Sequence, residues 1–191
     1  MRTEEYTMDN SCCFTGHRPD KLKGEEKDIR AWLGGEIRKA AEEGTETFIT
    51  GMAPGIDIWA AEEVLALKEE GKAVKLLCAV PFQGVENNRS EKDQKEFRDI
   101  LKKADDIEYI MPKASRKAFL ARDRWMVDHA ARVIAVFNGT PGGTGYTVNY
   151  AKNLGRKITI LDDSTMKETT GTVAASGPFP RENTATGKKA P

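Results

Sequence analysis

Val133-Ile134-Ala135-Val136-Phe137-Asn138-Gly139-Thr140-Pro141-Gly142-Gly143-Thr144-Gly145 is the stretch that decides the fold. Its first five residues are apolar, rich in β-branched side chains and of strand length, as in a strand covered on both faces. The glycines that follow permit a sharp reversal into a helix that runs to about Leu154, where Gly155 stops it. A strand passing through a glycine loop into a helix is the first half of a βαβ unit. Such a loop can also hold an anion, because glycines let backbone N–H groups come close and the helix points its positive end at them. No Gly-Lys-Ser/Thr closes the loop, so it is not a Walker A sequence, and Gly143 and Gly145 lack the third glycine of a dinucleotide fingerprint. Taken alone it reads equally as a phosphate cradle or as a tight strand-to-helix turn.

Outward from this stretch the same alternation recurs. Cys12-Cys13-Phe14-Thr15 is a short apolar run broken by Gly16, followed by a polar loop and by a helical stripe at Ile29, Trp32, Leu33, Ile37, Ala40 and Ala41. Thr47 to Thr50 forms a second run that stops at Gly51, and Ile58, Ala61, Val64 and Leu65 trace the next helix, closed by Gly71. A third run, Ala73 to Val80, ends at Pro81, and the polar loop Gln83 to Ser90 leads into a charged helix from Glu91 to Ala104. Ile107 to Met111 is a weaker strand, Ser115 to Ala131 a helix, and Lys157 to Leu161 a last strand. The expectation is an α/β fold: a single domain with a doubly wound, largely parallel sheet flanked by helices. Residues 1–10 read as an N-terminal extension. From Asp163 to Pro191 the larger apolar residues are Met166, Val173 and Phe179, too few to offset the entropy of ordering, so this segment reads as a disordered tail.

A chain of 191 residues suits one domain on the usual scale of ~100–200 residues per domain. Its 30 Lys+Arg are matched by 30 Asp+Glu. That balance, with no interleaving of aromatic and basic residues, argues against binding nucleic acid by general electrostatic attraction. No uncharged apolar run approaches the ~20 residues of a membrane span, and Met1 to Asn10 lacks a signal-peptide core, so no membrane partner and a cytoplasmic location are expected. Cys12, Cys13 and Cys78 lie in strand-like runs and read as reduced core residues. His17 and His129 are far apart with no Cys-x-x-Cys nearby, so no metal site is expected.

In an open parallel sheet, ligands sit beyond the carboxyl ends of the strands. The unusual loops here all follow strands: Gly16-His17-Arg18-Pro19, Gly51-Met52-Ala53-Pro54-Gly55-Ile56-Asp57, Pro81-Phe82-Gln83-Gly84 and Pro141-Gly142-Gly143-Thr144-Gly145. Right-handed crossovers place them on one edge. Arg18 has a planar fork that suits a phosphate, His17 and Phe82 are flat groups available to a base, and Gly51, Met52, Gly55 and Asp57 are expected to border a sugar. Plainer readings stand beside these. Asp57 in the first turn of a helix favours the helix dipole without further duty. Arg122, Asp123 and Arg124 read as a solvated helix face with local ion pairs. Trp32, Trp59 and Trp125 read as packing residues on helices.

The combination is more specific than its parts. Phe-Thr-Gly-His-Arg-Pro at 14–19, Thr-Gly-Met-Ala-x-Gly-Ile-Asp at 50–57 followed by Trp59-Ala60-Ala61-Glu62, Pro81-Phe82, Arg122-Asp123-x-Trp125-Met126-Val127-Asp128 and Pro-Gly-Gly-Thr at 141–144 occur in one order. In this the chain resembles the YpsA-like family of the SLOG superfamily, whose wider members include the DprA/Smf DNA-processing proteins and the LOG-type phosphoribohydrolases. The resemblance spans residues 11 to about 162. It implies a Rossmann-like pocket for a nucleotide or nucleotide-derived ligand such as an ADP-ribose or NAD-related molecule, held by the loop residues above together with Arg122, in a sensor or regulatory protein that could also be a homo-oligomer. No cofactor is expected to be required, beyond such a nucleotide-like ligand. LOG-type enzymes carry Pro-Gly-Gly-x-Gly-Thr-x-x-Glu, and here Tyr146 replaces the Thr and Asn149 the Glu. Asn149 cannot act as a carboxylate, so a nucleotide N-glycosidase is the alternative, with Asp57, Glu86 and Asp123 as substitute acids. Single-stranded nucleic acid binding is the second alternative.

Overall fold

The structure is a computed structural model that describes residues 8–172. After a short 3-10 turn at Met8–Asn10, strands and helices alternate: β1 Ser11–Gly16, α1 Glu26–Glu42, β2 Thr47–Thr50, α2 Ile56–Glu69, β3 Lys75–Val80, α3 Glu91–Lys103, β4 Asp106–Tyr109, α4 Arg116–Asp128, β5 Arg132–Val136, α5 Gly143–Asn153, β6 Lys157–Asp162 and β7 Lys167–Thr172. A second 3-10 turn, Pro19–Lys21, lies in the loop between β1 and α1. The seven strands form one sheet in the order β4-β3-β2-β1-β5-β6-β7. Every pairing is parallel except the β6–β7 hairpin. The expected doubly wound architecture is present.

The strands are covered on both faces because their alternate residues face different helix layers. Cys12, Phe14, Phe48, Leu76, Cys78 and Val80 pack with residues of α1, α2 and α3, including Leu33, Val64 and Phe97. Cys13, Ile49, Leu77, Ala79 and Val133 face the other way and pack with Met126 and Val127 of α4 and Ala151 of α5. Three crossovers on one face followed by two on the other are what crossovers of a single hand produce when strand order reverses. The reversal lies between β1 and β5, whose following loops lead to helices on opposite faces of the sheet. That is the crevice at which doubly wound sheets bind ligands.

The segment beyond Asp163 departs from expectation. Lys167–Thr172, composed of Lys-Glu-Thr-Thr-Gly-Thr, forms β7 at the edge of the sheet, so the expected tail boundary at Asp163 is wrong; residues 173–191 lie outside the described residues, as do residues 1–7 of the N-terminal extension. The hairpin is tied to the body of the domain. Trp32 Nε1 donates to Glu168 Oε2 at 2.8 Å. Asp163 is 1% exposed, and its Oδ2 accepts from the backbone N–H groups of Lys23 and Gly24 at 2.5 and 3.2 Å. This carboxylate therefore fixes the loop that carries the β1 end of the crevice. Asp163→Ala strands two backbone donors, at a cost of about 1–3 kcal/mol and a fall in thermal midpoint of roughly 3–8 °C. Asp163→Asn keeps one acceptor and should lose less. Circular dichroism melts of the two variants check the order, and equal losses would count against the hydrogen-bonding account.

Candidate functional site

The carboxyl-end loops enclose a cleft of about 230 Å³. The β1 loop contributes Thr15, Gly16, His17, Arg18 and Lys21, the β2 loop and α2 contribute Gly51, Ala53, Pro54 and Asp57, and the β3 loop contributes Pro81, Val85 and Arg89. From the opposite layer come Phe119, Arg122 and Asp123 of α4 and Gly142, Gly143 and Thr144 at the start of α5. Strands too short to reach beyond the sheet deliver these residues by way of their following turns, which is why residues distant in sequence meet here.

The floor of the cleft is an ion-pair network centred on Arg122. This residue was expected on a solvated face and is instead 6% exposed, because α4 turns it inward over the end of β2. Its Nη1 donates to the carbonyl of Gly51 and to Asp57 Oδ2 at 3.5 Å, and its Nε donates to Asp123 Oδ1 at 2.8 Å. Gly51 has to be glycine, since a Cβ there would lie 2.1 Å from Arg122 Nη1 and 2.7 Å from Asp57 Oδ2. The turn is pinned from below. Thr50 Oγ1 donates to the Asp57 carbonyl at 2.7 Å and accepts from Met52 N–H at 3.2 Å, and Ala53 N–H donates to Asp57 Oδ2 at 3.2 Å. Burial pushes the Asp57 carboxyl up from 3.8 to about 6, although Arg122 and the Ala53 N–H pull it back. Asp123 is raised by burial too, against the pull of Arg122. Two carboxyls of raised pKa thus flank one guanidinium in a cleft.

At the other end stands α5. Its first helical bond runs from Tyr146 N–H to Gly142 O at 3.1 Å, so the N–H groups of Gly143, Thr144 and Gly145 precede the intrahelical ladder. Thr147 Oγ1 donates to Gly143 O at 2.9 Å and holds this turn. Lys21 comes close: a Cβ on Gly142 would lie 3.8 Å from its Nζ. The expected cluster of Gly16, His17, Arg18, Gly51, Asp57, Pro81, Arg122, Gly142, Gly143 and Thr144 does meet in this cleft, together with the substitute acid Asp123.

Four of the expected ligand-binding residues do not line it. Met52 is fully buried in the core, with φ +58. Gly55 sits behind the lining, where a Cβ would meet Pro19 Cδ at 2.9 Å, and Gly145 backs onto Phe137 at 3.2 Å. Phe82 lies edge-on to Phe119 at 5.7 Å, and Phe119 presents the aromatic surface to the cleft. His17 lines the cleft but is only 3% exposed, with its ring tilted on Phe137 at 5.5 Å. Burial lowers its pKa, and its Nε2 is buried with no hydrogen-bond partner among the described residues. The substitute acid Glu86 is not on the lining and pairs with Arg98 at 3.6 Å. Lys21, Arg89 and Phe119 were missed by sequence reasoning; a polar loop and an amphipathic helix give no signal for which of their residues turns inward.

A family model described as the YspA SLOG family matches residues 12–162. The chain belongs to that family. A UPF0398 protein of Bacillus pumilus (strain SAFR-032) is 28% identical over 148 residues, covering 73% of this chain and 80% of the relative. Among solved structures, DNA processing protein A (DprA) of Streptococcus pneumoniae superposes with TM-score 0.55 at 18% identity, covering 78% of this chain and 49% of that one, so the chain spans about half its length. DprA of Helicobacter pylori, described with a unique single-stranded DNA binding mode, gives TM-score 0.56 at 19% identity over 78% of this chain and 64% of that one. These two share the fold. Among the described residues no helix is long and apolar enough to cross a membrane.

The raised Asp57 carboxyl has a measurable consequence. The folded chain holds this proton more tightly than the unfolded chain, so the stability contributed by Asp57 is greatest below pH 3.8 and is lost as pH rises through about 6. Asp57→Asn does not titrate and keeps the acceptor for Ala53 and Arg122. Its thermal midpoint relative to the native chain should therefore climb between pH 4 and pH 7, by on the order of 1–3 kcal/mol in stability. Melting curves across that range check the sign, and a pH-independent difference would count against burial as the cause.

Proposed function

We propose that the cleft binds a nucleotide or nucleotide-derived ligand and that the protein acts as a ligand-responsive sensor or regulator. One observation carries this reading: the open first turn of α5 and the cations Arg18 and Lys21 converge on a single cleft at the point where strand order reverses. A phosphate held by the N–H groups of Gly143 and Thr144 would have Lys21 beside it and Arg18 across from it. Phe119 offers a flat surface for a base. Asp57, already bonded to Arg122 and Ala53, would accept from a ribose hydroxyl only through its remaining lone pairs.

Gly143 provides a clean test. A Cβ there meets only Asp123 Oδ2, at an ordinary 3.8 Å, so Gly143→Val should fold while its branched side chain blocks approach to the N–H groups. Calorimetric titration of the full chain with AMP and with ADP-ribose should show binding by the native protein and at least roughly tenfold weaker binding by the variant, with thermal midpoints within about 2 °C. Unchanged affinity in the variant would sink the cradle assignment.

A nucleotide N-glycosidase is the second reading, and the pair of raised carboxyls favours it. Asp57 and Asp123 flank the cleft, and a carboxyl held near neutrality in pKa suits general acid–base work on a glycosidic bond. Asn149 does not bear on the question as expected, because it lies on the exposed face of α5 away from the cleft lining. The binding reading expects no free base from AMP above a buffer control. Base release by the native chain that disappears in Asp123→Asn would instead establish the hydrolase. Binding of single-stranded DNA, named for the Helicobacter pylori protein, is a weaker reading here: that likeness is one of fold, and the chain has no net positive charge.

A further inference from the structure

The turn at Gly51-Met52 does something unusual with two arginines. Met52 adopts a left-handed φ of +58, uncommon for a residue with a side chain, and the turn's consecutive carbonyls each accept from a different guanidinium. Arg122 of α4 takes Gly51 O, and Arg89 of the β3–α3 loop takes Met52 O at 2.9 Å. Two cations from separate parts of the chain are thereby fixed side by side.

They are not equivalent. Arg122 is compensated by Asp57 and Asp123. Arg89 is repelled by Arg18 and Arg122, and against these stand Glu86, which is paired with Arg98, and Asp93 in the first turn of α3. Burial works in the same direction as the repulsion, and together they lower its pKa. A guanidinium held partly out of water among like charges is stabilised by an incoming anion. Its guanidinium lies over the Phe97 ring, 4.8 Å from the ring centre, and one of its five N–H donors is used on Met52 O. A planar fork so held suits phosphoryl oxygens.

From these observations we infer that Arg89 forms a second anion subsite beside the one at α5, and that the ligand carries a diphosphate. Arg18 and Lys21 line the same cleft as Arg89. Lys21 Nζ reaches the cap of α5, 3.8 Å from where a Cβ on Gly142 would lie, and Gly142 lines that cleft of about 230 Å³ as well. A diphosphate in this cleft would find a donor group for each phosphoryl, whereas a single phosphate at α5 leaves the fork of Arg89 unused.

This inference rests on the nucleotide reading only for the position of the first phosphoryl group, so base-free probes separate the two. Inorganic pyrophosphate and orthophosphate are titrated calorimetrically into the full chain at one fixed salt concentration. The native protein should bind pyrophosphate at least roughly tenfold more tightly than orthophosphate. In Arg89→Gln that preference should vanish while orthophosphate affinity changes by less than about twofold. Arg89→Lys, which keeps the charge and a donor for Met52 O but not the planar fork, should lose most of the preference with orthophosphate affinity unchanged, and it decides the matter if Arg89→Gln fails to fold. Equal affinity of the native chain for both anions, or an equal loss of both in Arg89→Gln, would overturn the second subsite and leave the α5 site standing. Binding of neither anion would overturn both.

Discussion

Arg122 reaches from α4, in the helix layer on one face of the sheet, over the carboxyl end of β2 to Gly51 and to Asp57 of α2, in the layer on the other face. A lysine in its place would supply the charge but not the fork that serves a carbonyl and two carboxylates at once. Much else follows from this brace. Gly51 is without a side chain because the guanidinium occupies the space, and the turn that follows is strained at Met52 so that its carbonyls can face the arginines. Removing one member of a buried ionic network costs several kcal/mol because the others stay buried and uncompensated. The cleft floor is therefore rigid for the same reason that it is polar.

Most of the fold was legible in the sequence because the strands of a doubly wound sheet are covered on both faces and read as apolar runs separated by helical stripes. Strand ends moved by a residue or two. The exception, β7, shows where that logic stops. Its six residues are all exposed, so no hydrophobic signal marks it, and its stability comes from pairing with β6 and from Trp32 and Asp163, contacts that span more than a hundred residues. A threonine-rich edge strand and a disordered segment have similar compositions, and only the long-range partner distinguishes them.

The site was legible where backbone chemistry determines it and obscure where side-chain direction does. The Pro141-to-Gly145 loop and the turn at Gly51 announce themselves through glycine, because each needs close backbone approach. Arg122-Asp123-Arg124 announces nothing of the kind. Adjacent charges on a helix usually mean solvent, yet Arg122 and Arg124 project in different directions, one into the cleft and the other over the Tyr146 ring at 5.5 Å. Arg89 and Lys21 sit in polar loops whose sequence is silent about which residues turn inward.

The residues that brace the fold and those that would do chemistry overlap, and this constrains how the site can work. Asp57 is 5% exposed and already accepts from Arg122 and Ala53, so any role it plays toward a ligand is exerted from within a structural network. Asp123 is differently placed. Its side chain retains 17% of its surface, it makes one short contact with Arg122, and its Oδ2 faces the opening turn of α5, where a bound phosphate would sit. An anion arriving there would meet a carboxylate at close range and would favour its protonated form, turning an acceptor into a donor. A site that only binds gains from such a group by coupling ligand occupancy to proton uptake; a site that hydrolyses gains an acid next to the leaving group. Both demands fall on a carboxyl that lines the cleft and faces the opening turn of α5, which makes Asp123 the residue at which a binding module and an enzyme of this architecture would diverge.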